Sequence, residues 1–522
     1  MLKTQALPIG IQSFEDIRKN NYLYVDKTEE IYNLISSGKV YFLSRPRRFG
    51  KSLLISTLHA FFSGKKELFK GLKVEKLEKE WKKYPVFHFD LGGKEYRTRT
   101  DLENKLLNIL DNIKEEYKLT STQTSPELIF SDLLKAASEK YGNNVVVLVD
   151  EYDKPLLESL DNKTVTEEYR SLIRGFFGVL KSCDNYLKFV FITGVTKFSK
   201  VSIFSDLNQL NDISLSASAE TICGITQKEL ESNFKSQISE LAKENSISDK
   251  ECLSQLKAKY DGYHFSNNLV DVYNPYSLLK TFSDKFFGTY WFETGTPTFL
   301  IKQLEETNFD FYNFTEGVEY SIPTLMNKSD ADFDVIQLLY QAGYITIKEW
   351  NKEYNTFLLR YPNEEVEYSF LAVLLPSFLN KPQSTSDLWI REFYKDIKEG
   401  NIDSFMTRLK SIIASVPYAT DKRTSEHDFQ ITVYLIFTLL GQFTSAESYT
   451  NKGRIDCVVE TPEIIYIFEF KVDQPVENAF TQIKEKKYFE KYLSSKKQIK
   501  SIGVSFDSKK RNIDSWIFFE NK

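Results

Sequence analysis

The chain has 522 residues, 41% hydrophobic and 15% aromatic, which excludes a disordered protein and provides apolar material for three or four cores. A net charge of −5 excludes the overall basic excess of a protein that coats nucleic acid, so any DNA or RNA contact must be local. Cys183, Cys223, Cys252 and Cys457 form no C-x-x-C pair or Cys/His cluster, and no run reaches the ~18 apolar residues of a membrane helix or forms a signal-peptide core, so zinc, disulfides and membrane insertion are not expected and a reducing cytoplasm is.

The first element is Val40-Tyr-Phe-Leu-Ser44, a short apolar strand leading through Arg45-Pro-Arg-Arg-Phe-Gly-Lys-Ser52 into a helix. A loop ending Gly50-Lys51-Ser52 suits a phosphate cradle. Backbone N–H groups at the helix start face phosphate oxygens, Lys51 reaches the β and γ groups, and Ser52 is placed to ligate Mg²⁺. The first glycine of the usual G-x-x-x-x-G-K-[ST] pattern is Arg45 here. Arg47 and Arg48 add positive charge, and Phe49 completes the loop.

A second strand is expected at Pro85–Leu91 and a helix at about 99–118. Asn144-Val-Val-Val-Leu-Val149 then reads as a buried strand that delivers Asp150 and Glu151 at its carboxyl end, where open α/β sheets bind ligands. Asp150 is the candidate for holding Mg²⁺, and Glu151 for polarising the water that attacks a γ-phosphate. A helix at about 165–182 and a strand at Leu187–Thr193 complete a β-α-β-α-β-α-β alternation, the signature of a parallel sheet covered by helices. Thr193 stands where a γ-phosphate sensor is expected.

From about 221 the pattern turns helical, as a small lid would. A helix at Phe333–Tyr344 followed by strands at 345–350 and 356–361 predicts a winged-helix-like unit. Glu349, Glu353, Glu364, Glu365 and Glu367 make that hairpin acidic, which favours protein packing over DNA contact. Asn380–Asp387 is the expected linker.

Near the C-terminus, Gly453-Arg-Ile-Asp-Cys-Val-Val459 and Ile464-Ile-Tyr-Ile-Phe-Glu-Phe-Lys471 read as a hairpin turning through 460–463. It brings Asp456 and Glu469 toward one hard divalent cation, and strand alternation puts Lys471 on the face of Glu469. Two acids and a lysine suit phosphodiester hydrolysis with Mg²⁺, or Mn²⁺ in its place. Downstream, a helix presents Gln482 with Lys484, Lys486 and Lys487 along a path for a nucleic-acid backbone. Glu426, at the start of an earlier helix, is a candidate third acid.

With these segments in hand, the chain resembles a bacterial family that joins an AAA-ATPase-like domain to a C-terminal PD-(D/E)XK nuclease-superfamily domain. The likeness rests on Tyr24-Val-Asp-Lys-Thr28, Arg45 to Ser52, Val149-Asp-Glu-Tyr-Asp-Lys-Pro155, Leu172-Ile-Arg-Gly-Phe-Phe177, Tyr260-Asp-Gly-Tyr263, Tyr273-Asn-Pro275, Gly453-Arg-Ile-Asp456 and Phe468-Glu-Phe-Lys471. It implies nucleotide roles for Lys51, Ser52, Asp150 and Glu151, and nuclease roles for Asp456, Glu469 and Lys471. Arg170 and Arg174 lie where related ATPases present an arginine to a neighbour's γ-phosphate, so a homo-oligomer is one arrangement this allows.

The expected fold is therefore α/β and multidomain. It comprises a P-loop NTPase core with a parallel sheet and helices on both faces (1–220), a helical lid (221–290), a winged-helix-like middle domain (291–380) and a restriction-endonuclease-like α/β domain with leading helices (388–522). The expected function is ATP hydrolysis coupled to a Mg²⁺-dependent nuclease acting on nucleic acid, DNA in the first instance. The alternative is a nucleotide-dependent switch or scaffold whose nuclease-like domain binds without cutting.

Overall fold

The computed structural model describes residues 5–521 apart from 161, 198–206, 208, 292–316, 327–334, 379–385, 416–424, 441–444, 452–453, 487–488 and 493–496. The described residues form two compact units, the first ending at Trp291 and resuming over Gly317–Val366, the second beginning at Glu367.

In the first unit the apolar runs become parallel strands β1 (Val40–Ser44), β2 (Val86–Asp90), β3 (Val145–Asp150), β4 (Leu187–Gly194) and β5 (Asn211–Asp212), in the order β2-β3-β4-β1-β5. Every residue of β3 is buried, as expected where helices cover both faces of a sheet. Helices Arg99–Tyr117, Pro126–Tyr141 and Lys163–Ser182 pack on one face, and Lys51–Phe62 on the other. Helix Pro126–Tyr141 and strand β5 are additions to the sequence reading. Ser125 before Pro126 was a legible signal for that helix, because proline in the first turn removes an N–H that has no partner anyway. Strand β4 lies between β1 and β3, so the ends carrying the phosphate loop, Thr193 and Asp150 are neighbours. Arg45 N donates to Gly194 O at 3.2 Å, and Tyr152 N to Thr193 O at 3.1 Å.

The region after β5 is helical, as expected. Gln227–Asn233, Lys235–Glu244, Asp249–Tyr260 and Pro275–Asp284 enclose Leu230, Phe234, Leu241, Leu256 and Phe282, beside a two-stranded ladder of β6 (Ile225–Thr226) and β7 (Val272–Tyr273). Next come β8 (Val318–Ser321), helix Val335–Ala342, β9 (Thr346–Asn351) and β10 (Thr356–Arg360). The strands form an antiparallel sheet in the order β8-β10-β9, a winged-helix-like arrangement. Three members of its acidic set are corrected: Glu364, Glu365 and Glu367 lie on helix Glu364–Phe378, which follows β10, and not on the hairpin. Glu365 is 1% exposed, and its Oε1 accepts from Tyr290 N at 2.5 Å and Trp291 N at 3.0 Å, while burial pushes the carboxyl up to about 7.

The second unit carries β11 (Ser445–Asn451), β12 (Arg454–Glu460), β13 (Ile464–Val472), β14 (Gln498–Asp507) and β15 (Asn512–Asn521), which are neighbours in chain order. Only the β13–β14 pair is parallel, and helix Val476–Lys486 makes the crossover between them. Helices Ser386–Lys398, Ile402–Ala414 and Ser425–Leu440 lead into this sheet. Residues 380–385 of the expected linker lie outside the described residues. No helix among the described residues is long and apolar enough to cross a membrane.

Candidate active sites

Gly50 caps helix Lys51–Phe62 with φ +88°, a left-handed conformation that glycine adopts without steric cost. The helix therefore begins at Lys51, with Ser52 as its second residue. Lys51 is buried, and its Nζ donates to Arg45 O and Pro46 O, both at 2.9 Å. Burial holds the ammonium below its ordinary value, while the charges of Asp150, Asp153 and Glu151 act in the opposite sense. The loop lysine thus lies in the field of acids at and just after the end of β3.

Asp150 is buried at the end of β3. Its Oδ1 accepts from Thr193 Oγ1 at 2.7 Å and from Glu151 N at 3.0 Å. Glu151 takes φ +51°, a strained conformation of a kind that clusters at functional sites. Burial, and then Asp150, raise its carboxyl above the ordinary range. Arg47 and Arg48 are exposed, with the Arg48 guanidinium 4.5 Å from the Tyr276 ring. Phe49 is buried edge-on against Tyr263 and Phe265. Beside Gly50 lies a mostly apolar pocket of about 100 Å³, walled by Tyr24, Val25, Leu53, Ile225 and Leu279 and bordered by Lys27. Arg170 pairs with Glu167 on its own helix, and Arg174 is exposed.

In the second unit, the register of β12 on β13 sets Asp456 directly opposite Glu469. The Asp456 and Glu426 side chains lie outside the described residues, as does Lys487. Glu469 is 0% exposed, and Lys471 Nζ donates both to its Oε1 and to Gln482 Oε1, each at 2.6 Å. One ammonium thus joins a strand acid to the amide of the crossover helix. Lys471 and Gln482 line a polar cleft of about 600 Å³, together with Asp473, Gln474 and Lys486 among others.

Residues 8–204 match the model of a predicted AAA-ATPase, and residues 424–516 that of the PD-(D/E)XK nuclease superfamily. The chain is also 35% identical, over 99% of its own length and 99% of the relative's, to an uncharacterized protein in the vnfD 5′ region of Azotobacter chroococcum mcd 1. The chain belongs to this AAA-ATPase-like family with a PD-(D/E)XK nuclease-superfamily domain.

The AAA-ATPase-like domain uses several residues that sequence reasoning missed. Arg45, in the place of the first loop glycine, is 1% exposed and points into a cage of carbonyls. Its Nη1 donates to Ser44 O and Ser214 O, its Nη2 donates to Ala219 O, and its guanidinium lies 4.1 Å from the Phe265 ring centroid. Asp153 is 1% exposed. It accepts from Val195 N at 3.0 Å and from Thr196 N and Oγ1 at 2.6 Å, tying the segment after β3 to the end of β4. Gly92 lies against the site carboxylates, so that a Cβ there would stand 2.5 Å from Glu151 Oε2 and 2.9 Å from Asp90 Oδ1 and would displace them. The motif at 24–28 also has a local purpose. Asp26 Oδ1 accepts from Thr28 N and Oγ1, and Lys27 Nζ pairs with Glu229 at 2.6 Å. Asp90 and Asp153 each end or follow an apolar strand run, which was their only sequence signal.

Proposed function

We propose that the protein hydrolyses ATP at the phosphate loop and cleaves phosphodiester bonds, DNA in the first instance, at the Asp456–Glu469–Lys471 site under nucleotide control. The observation that carries the nuclease reading is the Lys471 ammonium held between Glu469 and Gln482 beside a polar cleft. A lysine fixed there orients an attacking water and stabilises charge on the phosphate as the new P–O bond forms and the old one breaks. Glu469 holds that lysine in place and, with Asp456, offers hard oxygen donors of the kind that select Mg²⁺ or Mn²⁺. When bound, the cation supplies charge to the scissile phosphate and acidifies a water.

At the first site, Lys51 pairs with the β and γ phosphates. Ser52 and Asp150 are the oxygen donors for Mg²⁺, and Glu151 takes the proton of the water that attacks the γ-phosphorus. Thr193 fixes the Asp150 carboxylate. The apolar pocket beside Gly50 receives the base.

The test is a cleavage assay on linear, circular and single-stranded DNA and on RNA, with and without ATP, using wild type, Lys51→Ala and Glu469→Ala. Cleavage of DNA that responds to ATP in wild type, ignores ATP in Lys51→Ala and is absent in Glu469→Ala is expected. Cleavage that ignores ATP in every protein removes nucleotide control. Binding without cleavage in wild type supports the switch or scaffold reading instead.

A further inference from the structure

Arg45, Pro46 and Phe49 of the phosphate loop all pack against one neighbouring assembly. Arg45 lies over Phe265 at 4.1 Å, and Phe49 meets Tyr263 and Phe265 at 4.8 and 5.3 Å. Pro46 abuts Gly343, where a Cβ would stand 2.6 Å from Pro46 Cβ. Gly343 follows helix Val335–Ala342 and has φ +91°, so it supplies both the turn and the close approach.

The segment gripped by Arg45 and Phe49 is bonded in turn to the hairpin. His264 N donates to Thr346 Oγ1 at 2.9 Å, His264 Nδ1 lies 2.5 Å from Ile347 O, and Lys348 Nζ donates to Gly262 O at 2.7 Å. His264 Nε2 reaches Asp271 at 2.6 Å, which fixes the ring from its other side. At the end of β4, Lys197 N donates to Gln341 Oε1 at 2.9 Å, a second link from the sheet to the same helix and hairpin.

We propose that the phosphate loop and the winged-helix-like element act as one two-state unit, with Arg45, Pro46 and Phe49 transmitting nucleotide occupancy to strand β9 through Tyr263, His264, Phe265 and Gly343. The input is the Lys51 ammonium. It is bonded to the carbonyls of Arg45 and Pro46, and a triphosphate competes for the same N–H groups. Moving that ammonium onto phosphate releases two carbonyls of the residues whose side chains hold Phe265 and Gly343. An ordinary phosphate loop has glycine in the place of Arg45 and so lacks the side chain through which this residue would pass such a change. The inference rests on the nucleotide reading above and names its route of regulation.

Hydrogen–deuterium exchange on the full chain, with Mg²⁺ and a non-hydrolysable ATP analogue, tests it. Coupling between sites typically changes affinities by about fivefold or more, so exchange in 260–266 and 344–360 is expected to change by at least about that factor together with protection of 45–54. In Thr346→Val, 45–54 stays protected while the response at 344–360 is lost. Gly343→Ala weakens analogue binding about fivefold or more, by reciprocity. Gly142→Ala, at a glycine with φ +62° and open space around it, controls for backbone strain and leaves binding unchanged. Protection of 45–54 with no response in the hairpin, or wild-type affinity in Gly343→Ala, overturns the coupling and leaves the nucleotide reading standing. No protection of 45–54 overturns both.

Discussion

The two candidate sites neutralise their buried charges in different ways. At the phosphate loop, charged side chains are held largely by backbone groups, those of the loop itself for Lys51 and those of distant segments for Arg45 and Asp153. Lys51 donates to Arg45 O and Pro46 O, Arg45 donates to Ser214 O and Ala219 O, and Asp153 accepts from Val195 N and Thr196 N. In the second unit the charge is met by side chains, with Lys471 donating to Glu469 and Gln482. A site held by backbone responds when segments move, which suits a regulatory input. A site held by side chains of one strand and one helix keeps its geometry through such movements, which suits a constant chemical step. Substitutions at each site put that contrast at risk.

The largest effect is expected at Glu469. Glu469→Ala leaves a buried ammonium without its carboxylate, and breaking such a pair costs about 3 to 5 kcal/mol. The transition of the second unit in a melting experiment should fall accordingly, and cleavage by about 100-fold or more. Glu469→Gln keeps the shape and an oxygen acceptor, so it should lose cleavage with a smaller melting shift. Equal melting of all three proteins would mean that the side-chain pairing carries no stability, and the contrast would fail.

Next is Asp150→Asn at the other site. It keeps the Thr193 hydrogen-bond geometry and removes the charge. Nucleotide hydrolysis should fall by about 100-fold while analogue binding changes little, since only the transition state gathers the lost electrostatic stabilisation. Cleavage measured without nucleotide should be untouched.

How far these sites could be read from sequence follows the same division. The second site was legible because strand alternation is local: Lys471 two residues beyond Glu469 had to share its face, and the β12–β13 register did pair Asp456 with Glu469. The strands β1 to β4 were legible as apolar runs. Arg45 was legible only as a departure from a pattern, because the carbonyls that hold it come from residues about 170 positions further along the chain. The burial of Glu365 was equally hidden, since its partners Tyr290 and Trp291 lie in another segment. Composition around a residue says little about a carbonyl or N–H that tertiary packing delivers.

Glu151 gives a pH test of smaller size. Its carboxyl is raised by burial and by Asp150, and it acts as a base only when ionised. The acid limb of the ATPase pH profile should therefore lie above that of an ordinary carboxylate. Glu151→Gln should flatten the limb as it lowers the rate. The stability sign is opposite to that of an ion-paired acid. Because the folded value is raised, the group's stabilising contribution is fully present below its unfolded pKa and is lost as pH rises through the folded value. Glu151→Gln should thus gain stability relative to wild type as pH rises through that window, read by melting at a series of pH values.

The smallest effect is expected at Thr193, and it separates a contact with phosphate from a contact with Asp150. Thr193 Oγ1 donates to Asp150 Oδ1 at 2.7 Å, and both groups are buried. At the lower end of its range a hydrogen bond to a charged group is worth about 1.5 kcal/mol, so Thr193→Val should lower the rate of hydrolysis by at least about tenfold. Thr193→Ser keeps the hydroxyl and should recover most of it. If the residue acts through Asp150, the loss should largely vanish when Thr193→Val is combined with Asp150→Asn, because the acceptor's charge is already gone. Additive losses in that double-mutant cycle would mean the hydroxyl meets the nucleotide itself.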